Sequence, residues 1–195
     1  MKTAMDELLE FNREFVESKE YEKYRTTKLP DKKLAIVSCM DTRLTNLLPA
    51  ALNLKNGDVK MITNAGALIS HPFGSTMRSL MISVYFMGVR EISVIGHYDC
   101  GMHGFSPAVL MMKMKEKGIS AEKLRLIEAL GIDLGKWFKG FDDSRDSVLK
   151  SVTMIKNHPL LPADIRVRGF LIDPRTGRLE EVFADMGSYY EGGHS

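Results

Sequence analysis

Two cysteines and one histidine stand out as the residues of this 195-residue chain best suited to holding a metal ion. Cys39 directly follows a short apolar run at 34–38, while His97 and Cys100 stand three residues apart just past another at 91–95. Two thiols and an imidazole form a Cys2His set, which zinc prefers over harder cations. Three protein ligands leave one tetrahedral vertex. A structural zinc site fills it with a fourth Cys or His, and the chain has only two cysteines. An open vertex is what catalysis on water or a substrate needs. Taken alone, His-x-x-Cys is a weak signal, because lone thiols in a chain of this size are often core residues or nucleophiles.

Asp41 and Arg43 lie two and four residues after Cys39. A carboxylate so close to a metal thiolate can take the fourth position itself, or accept a hydrogen bond from water held there. Arg43 can grip that carboxylate at both oxygens and keep it off the metal. With no metal, the same two residues form an ordinary loop ion pair, and spacing does not separate the alternatives.

These residues are far apart in sequence, so the elements between them must bring them together. The pattern predicts strands at 34–38, 59–63, 91–95, 165–172 and 179–183, with helices at 46–53, 74–87, 107–117 and 144–157. Gly88 and Gly118 are placed as helix stops and Ser120 as a cap. Strands alternating with helices predict an α/β fold: a mostly parallel sheet with helices on both faces. Turn chemistry at 173–177 adds a C-terminal antiparallel edge hairpin. Strand carboxyl ends in such a sheet share one edge, so Cys39, His97 and Cys100 meet if their strands are neighbours. One domain is expected over 1–195, with a helical arm at 1–28, the metal-site half at 34–102, and a helix and closing hairpin at 144–185. The helix expected at 3–24 is amphipathic, and packs either on its own domain or across a partner subunit.

Composition narrows the partners. With 27 Lys+Arg against 25 Asp+Glu, scattered along the chain, the net charge of +2 gives no basis for nucleic-acid binding. No apolar run approaches the ~18 residues of a membrane span, and the acids within 1–10 do not suit a signal peptide, so a cytoplasmic protein is expected. His71 and His103 are candidates for moving protons near the site, though solvated loop positions suit them as well. His158 reads as a helix-end residue and His194 as part of the tail. Met111, Met112 and Met114 read as core or interface filling, and Trp137 with Phe138 as an anchor or a subunit contact.

Cys39-Met-Asp41-Thr-Arg43, Asn64-Ala-Gly66 and Gly96-His97-Tyr-Asp-Cys100-Gly101-Met102 together resemble the β-class carbonic anhydrases. Similarity returns in the closing hairpin, from Gly169 through Asp173 and Gly177 to Leu179, while 119–143 carries no matching motif. Met40 and Gly101-Met102 lean towards the branch of small archaeal and bacterial enzymes. The resemblance implies one Zn2+ per chain on Cys39, His97 and Cys100, with Asp41 a fourth ligand only in a closed state and Arg43 its gating partner. It implies reversible hydration of carbon dioxide to bicarbonate and a proton by zinc-bound hydroxide. It also implies a homodimer or dimer of dimers whose N-terminal helix reaches over the neighbour. Hydrolysis of carbon disulfide or carbonyl sulfide on the same ligands is the alternative, and a non-catalytic zinc-binding module a more remote one.

Overall fold

The computed structural model describes residues 2–183; His194 and the last two residues of the 144–185 segment lie outside them. The chain opens with α1 (Ala4–Glu17), started by a capping box in which the Thr3 hydroxyl accepts from the Asp6 N–H and the Asp6 carboxylate accepts from the Thr3 N–H. The helix is shorter than the 3–24 expected. Ser18 caps it, Lys19 turns left-handed at φ 59°, and residues 20–24 form a 3₁₀ turn that brings Tyr24 back to 6.1 Å from the Phe15 ring.

Next come β1 (Leu34–Cys39), α2 (Leu44–Ala51), β2 (Val59–Asn64), α3 (Ser75–Met87) and β3 (Glu91–His97). The chain continues through α4 (Pro107–Glu116), α5 (Ala121–Ala129), α6 (Leu134–Trp137), α7 (Ser144–Lys156), β4 (Arg166–Ile172) and β5 (Leu179–Phe183). Helix α2 begins two residues earlier than its apolar pattern suggested. Strand β3 runs two residues longer, because His97 still pairs with Ile172 of β4. The stretch without a recognisable motif holds α5 and α6, which Ser120 and Asp133 cap with their side chains.

The five strands form one sheet in the order β2-β1-β3-β4-β5, parallel except for the antiparallel β4–β5 pair at the edge. That is the α/β architecture expected. Strands β1 and β3 are direct neighbours, with Ser38 opposite Ile95, so Cys39 and His97 leave the sheet side by side.

Each sheet face has its own apolar layer. Ala35, Val37, Ile92 and Val94 pack with Met77 and Leu80 of α3 and with Val148, Val152 and Ile155 of α7. On the other face, Ile36, Ile95 and Ile172 pack with Leu44 and Leu48 of α2, and the two cysteines belong to this layer. Helix α7 lies unusually close to β3 and β4. A Cβ added at Gly96 or Gly169 would stand 2.8 or 2.7 Å from a Val148 methyl, inside contact distance, so both strands need glycine there.

Helix α4 has no buried residue, so the methionine cluster does not fill the core. Trp137 is likewise exposed, its ring tilted against that of Phe138 at 4.6 Å rather than anchored under a loop. Among the described residues, no helix is long and apolar enough to cross a membrane.

Candidate metal centre

The site forms where β1 and β3 end. Cys39 closes β1, His97 closes β3, and Cys100 follows three residues later in a turn, all three buried. Their ligating atoms lie within 4.8 Å of one another, and the two sulfurs are 3.9 Å apart. A separation of 58 positions between Cys39 and His97 is thus cancelled by the parallel pairing of β1 with β3.

The histidine is oriented as a ligand. Its Nδ1 lies 2.9 Å from the Tyr98 carbonyl oxygen, which can only accept, so Nδ1 carries the proton and Nε2 presents its lone pair. Nε2 is buried and has no hydrogen-bond partner among the described residues. An orphaned buried acceptor costs about 1–3 kcal/mol unless something fills it. A cation between Nε2 and the two sulfurs would do so, and this donor chemistry suits a borderline-soft divalent metal. The residues present therefore fit such an ion.

Electrostatics point the same way. Cys39 is held down to about 4, first by the hydrogen bond from the Cys100 thiol, then by His97 and by the backbone N–H groups of Gly66 and Asp41, against the cost of burial. Cys100, facing that thiolate and buried, is pushed up, with the Met102 N–H opposing. Burial works to lower His97, but the Cys39 thiolate and the Tyr98 carbonyl outweigh it and raise its affinity for a proton. The cluster attracts positive charge, and a metal would bind by displacing protons. Residues 101–102 form a turn ahead of α4 at Pro107, so the Met102 N–H that opposes the rise at Cys100 belongs to that turn and not to a helix end.

The loop after β2 closes over Cys39. The Gly66 N–H donates to Cys39 Sγ at 3.3 Å, from a backbone at φ 82° that glycine adopts without strain. Met102 and Phe141 carbons stand 3.1 Å from where a Gly66 Cβ would be, so the loop has no room for one. Asn64 staples the loop, donating to the Leu68 carbonyl at 2.8 Å and accepting from the Leu68 N–H at 2.9 Å.

Asp41 stands just outside the ligand triangle, its Oδ2 3.8 Å from His97 Nε2. Arg43 grips it at both oxygens: Nε donates to Oδ1 at 3.0 Å and Nη2 to Oδ2 at 2.8 Å, with the Arg43 backbone N–H on Oδ1 at 2.9 Å. These bonds, the guanidinium first, hold the Asp41 carboxyl down to about 2. The other edge of Arg43 reaches the Cys100 loop, bonding the Asp99 carboxylate at 2.8 Å and the Asp99 carbonyl at 2.7 Å. Sequence reasoning missed Asp99, treating it as a spacer inside His-x-x-Cys. Its acidic side chain, of a type that tolerates left-handed backbone, was the available signal.

A cavity of about 250 Å³ opens beside Cys39 and Asp41, walled by Met40, Leu44, Leu48 and Met61. A larger cleft of about 870 Å³ between the 68–72 loop, α6 and α7 holds none of the three ligands, so chemistry rather than volume singles out the smaller one. His103 is exposed and lines a third cleft with Cys100 and Asp99. His71 is exposed with Nδ1 taken by the Phe73 N–H, and His158 is buried against the Pro72 carbonyl.

Comparison with known proteins agrees with this geometry. The family model described as Carbonic anhydrase matches residues 34–179. The chain is 53% identical over 180 residues to YtiB, a candidate carbonic anhydrase of Bacillus subtilis, covering 92% of this chain and 96% of that protein. It is 32% identical over 158 residues to a carbon disulfide hydrolase of Acidithiobacillus thiooxidans, covering 76% of each. The crystal structure of a β-carbonic anhydrase from Trichomonas vaginalis superposes with a TM-score of 0.86 at 33% identity, over 94% of this chain and 99% of that one.

Proposed function

The chain belongs to the β-carbonic anhydrase family, and from that premise we propose that it catalyses the reversible hydration of carbon dioxide to bicarbonate and a proton, with Zn2+ held by Cys39, His97 and Cys100. The observation that carries this is the unpartnered His97 Nε2 between two thiols, with an arginine-clamped carboxylate 3.8 Å away. Zinc bound there would supply a Lewis acid that makes water nucleophilic near neutral pH.

The chain's own residues do the rest. Arg43 holds Asp41 just outside the three ligands, 3.8 Å from His97 Nε2, leaving room for water between them. Asp41, with its carboxyl near 2, is too weak a base to keep a proton at neutral pH. It acts as an acceptor that turns the water's lone pair towards the substrate. The apolar wall of Met40, Leu44, Leu48 and Met61 suits a small uncharged molecule such as carbon dioxide. The water oxygen bonds to carbon, one C=O electron pair moves onto oxygen, and the proton leaves to solvent. Released by Arg43, Asp41 would be free to move in towards the three ligands and exclude that water.

The chain is also proposed to act in the cytoplasm as a homodimer or dimer of dimers. Met5, Leu8, Leu9, Phe11 and Val16 are exposed on α1, none of whose residues is fully buried, which suits a place over a partner subunit. The 32% identical carbon disulfide hydrolase favours one second reading, the same site acting on carbon disulfide or carbonyl sulfide.

Parallel rate measurements with the three substrates, across pH, separate the readings. Cys39 and Cys100 as thiolates offset a divalent ion's charge and weaken its acidifying effect on water. Asp41 stays ionised across the working range, so it adds no step of its own. Carbon dioxide hydration is therefore expected to be the fastest reaction and to climb towards alkaline pH. A faster turnover of carbon disulfide would replace the first reading by the second, and a profile flat from below neutrality would refute the effect ascribed to the thiolates.

A further inference from the structure

We infer that Asp99 is a positioning residue: it anchors the far edge of Arg43 so that the near edge holds Asp41 away from the metal vertex. The inference rests on the proposed roles of Asp41 and Arg43 and extends them to a residue outside that pair.

Arg43 uses four of its five guanidinium N–H groups, two on Asp41 and two on Asp99. An arginine bound only through Asp41 could swing with it on a flexible stem, and the carboxylate would carry its own clamp towards the metal. Fixing Nη1 and Nη2 to the Asp99 carboxylate and carbonyl, 56 residues away in sequence, removes that freedom. It also ties the loop that follows Cys39 to the one that carries Cys100. Asp99 holds its own backbone at φ 54°, in the left-handed region where few side chains are comfortable. A glycine would sit there more easily, so the carboxylate has a reason to be present other than backbone fit. Arg43 keeps this anchor when Asp41 departs, which makes return to the clamped state a local step.

Asp99→Gly removes the carboxylate, suits the positive φ and keeps the carbonyl. The side-chain pair is mostly exposed (Arg43 40%, Asp99 70%), so its loss is expected to lower hydration at neutral pH by only about 2- to 5-fold. Asp99→Asn tolerates the same backbone, retains an acceptor and is expected to recover most of that loss. The distinguishing readout is the visible absorption of the cobalt-substituted enzyme, whose bands report the fourth ligand. Asp99→Gly should move the spectrum part of the way to that of Arg43→Ala, and should change neither spectrum nor rate further when Arg43 is already alanine.

A wild-type spectrum in Asp99→Gly, or an equal loss of rate with and without Arg43, overturns the assignment of Asp99 alone. A wild-type spectrum in Arg43→Ala overturns it together with the proposed roles of Asp41 and Arg43 on which it rests.

Discussion

Replacing His97 with alanine is expected to leave the purified protein without stoichiometric metal and to lower carbon dioxide hydration by at least about 10³-fold. A bound metal lowers the pKa of water far below its bulk value, so a chain without it forfeits a nucleophile that bulk hydroxide replaces poorly. Beyond helping to hold the Cys39 thiol down, the imidazole has Nδ1 set against the Tyr98 carbonyl and Nε2 without a hydrogen-bond partner among the described residues. A small cavity in the layer of Ile36, Ile95 and Ile172 would remain, so folding must be checked by circular dichroism. Metal analysis and stopped-flow assay on the same sample decide the matter. A variant with one metal per chain and ordinary activity would mean that the imidazole is packing, not a ligand.

Arg43→Ala is expected to keep its metal and still lose about 10- to 100-fold in activity, the usual scale for residues that orient a metal's surroundings. Its hydrogen bonds are the first cause of the low Asp41 pKa, so removing them raises that pKa and frees a carboxylate 3.8 Å from the ligand triangle. The freed group is expected to occupy the vertex water needs. Arg43→Lys keeps the charge and loses the two-pronged grip, and should fall between the wild type and alanine. Full activity in Arg43→Ala, measured with metal content unchanged, would show that Asp41 needs no clamp.

Much of this site was legible in the sequence, because strand order converts short apolar runs into positions along one sheet edge. Cys39 and His97 each end such a run, and parallel pairing of β1 with β3 does the rest. The boundaries that shifted did so for tertiary reasons. Strand β3 continues to His97 because β4 offers it a partner, and α1 stops at Glu17 because Lys19 turns the chain back on itself. Asp99 was passed over because its meaning lies in a contact across 56 residues, and a lone acid between two ligands carries no periodicity. The backbone donors to the two sulfurs were equally hidden. Gly66 and Met102 contribute through N–H groups, which every residue but proline possesses, so only the loop's path reveals them.

X-ray absorption at the metal edge of the purified enzyme at mildly alkaline pH tests the central claim most directly. One zinc per chain is expected, surrounded by two sulfurs, one imidazole nitrogen and one light oxygen donor. A metal-free protein, or an ion with only nitrogen and oxygen neighbours, would contradict it.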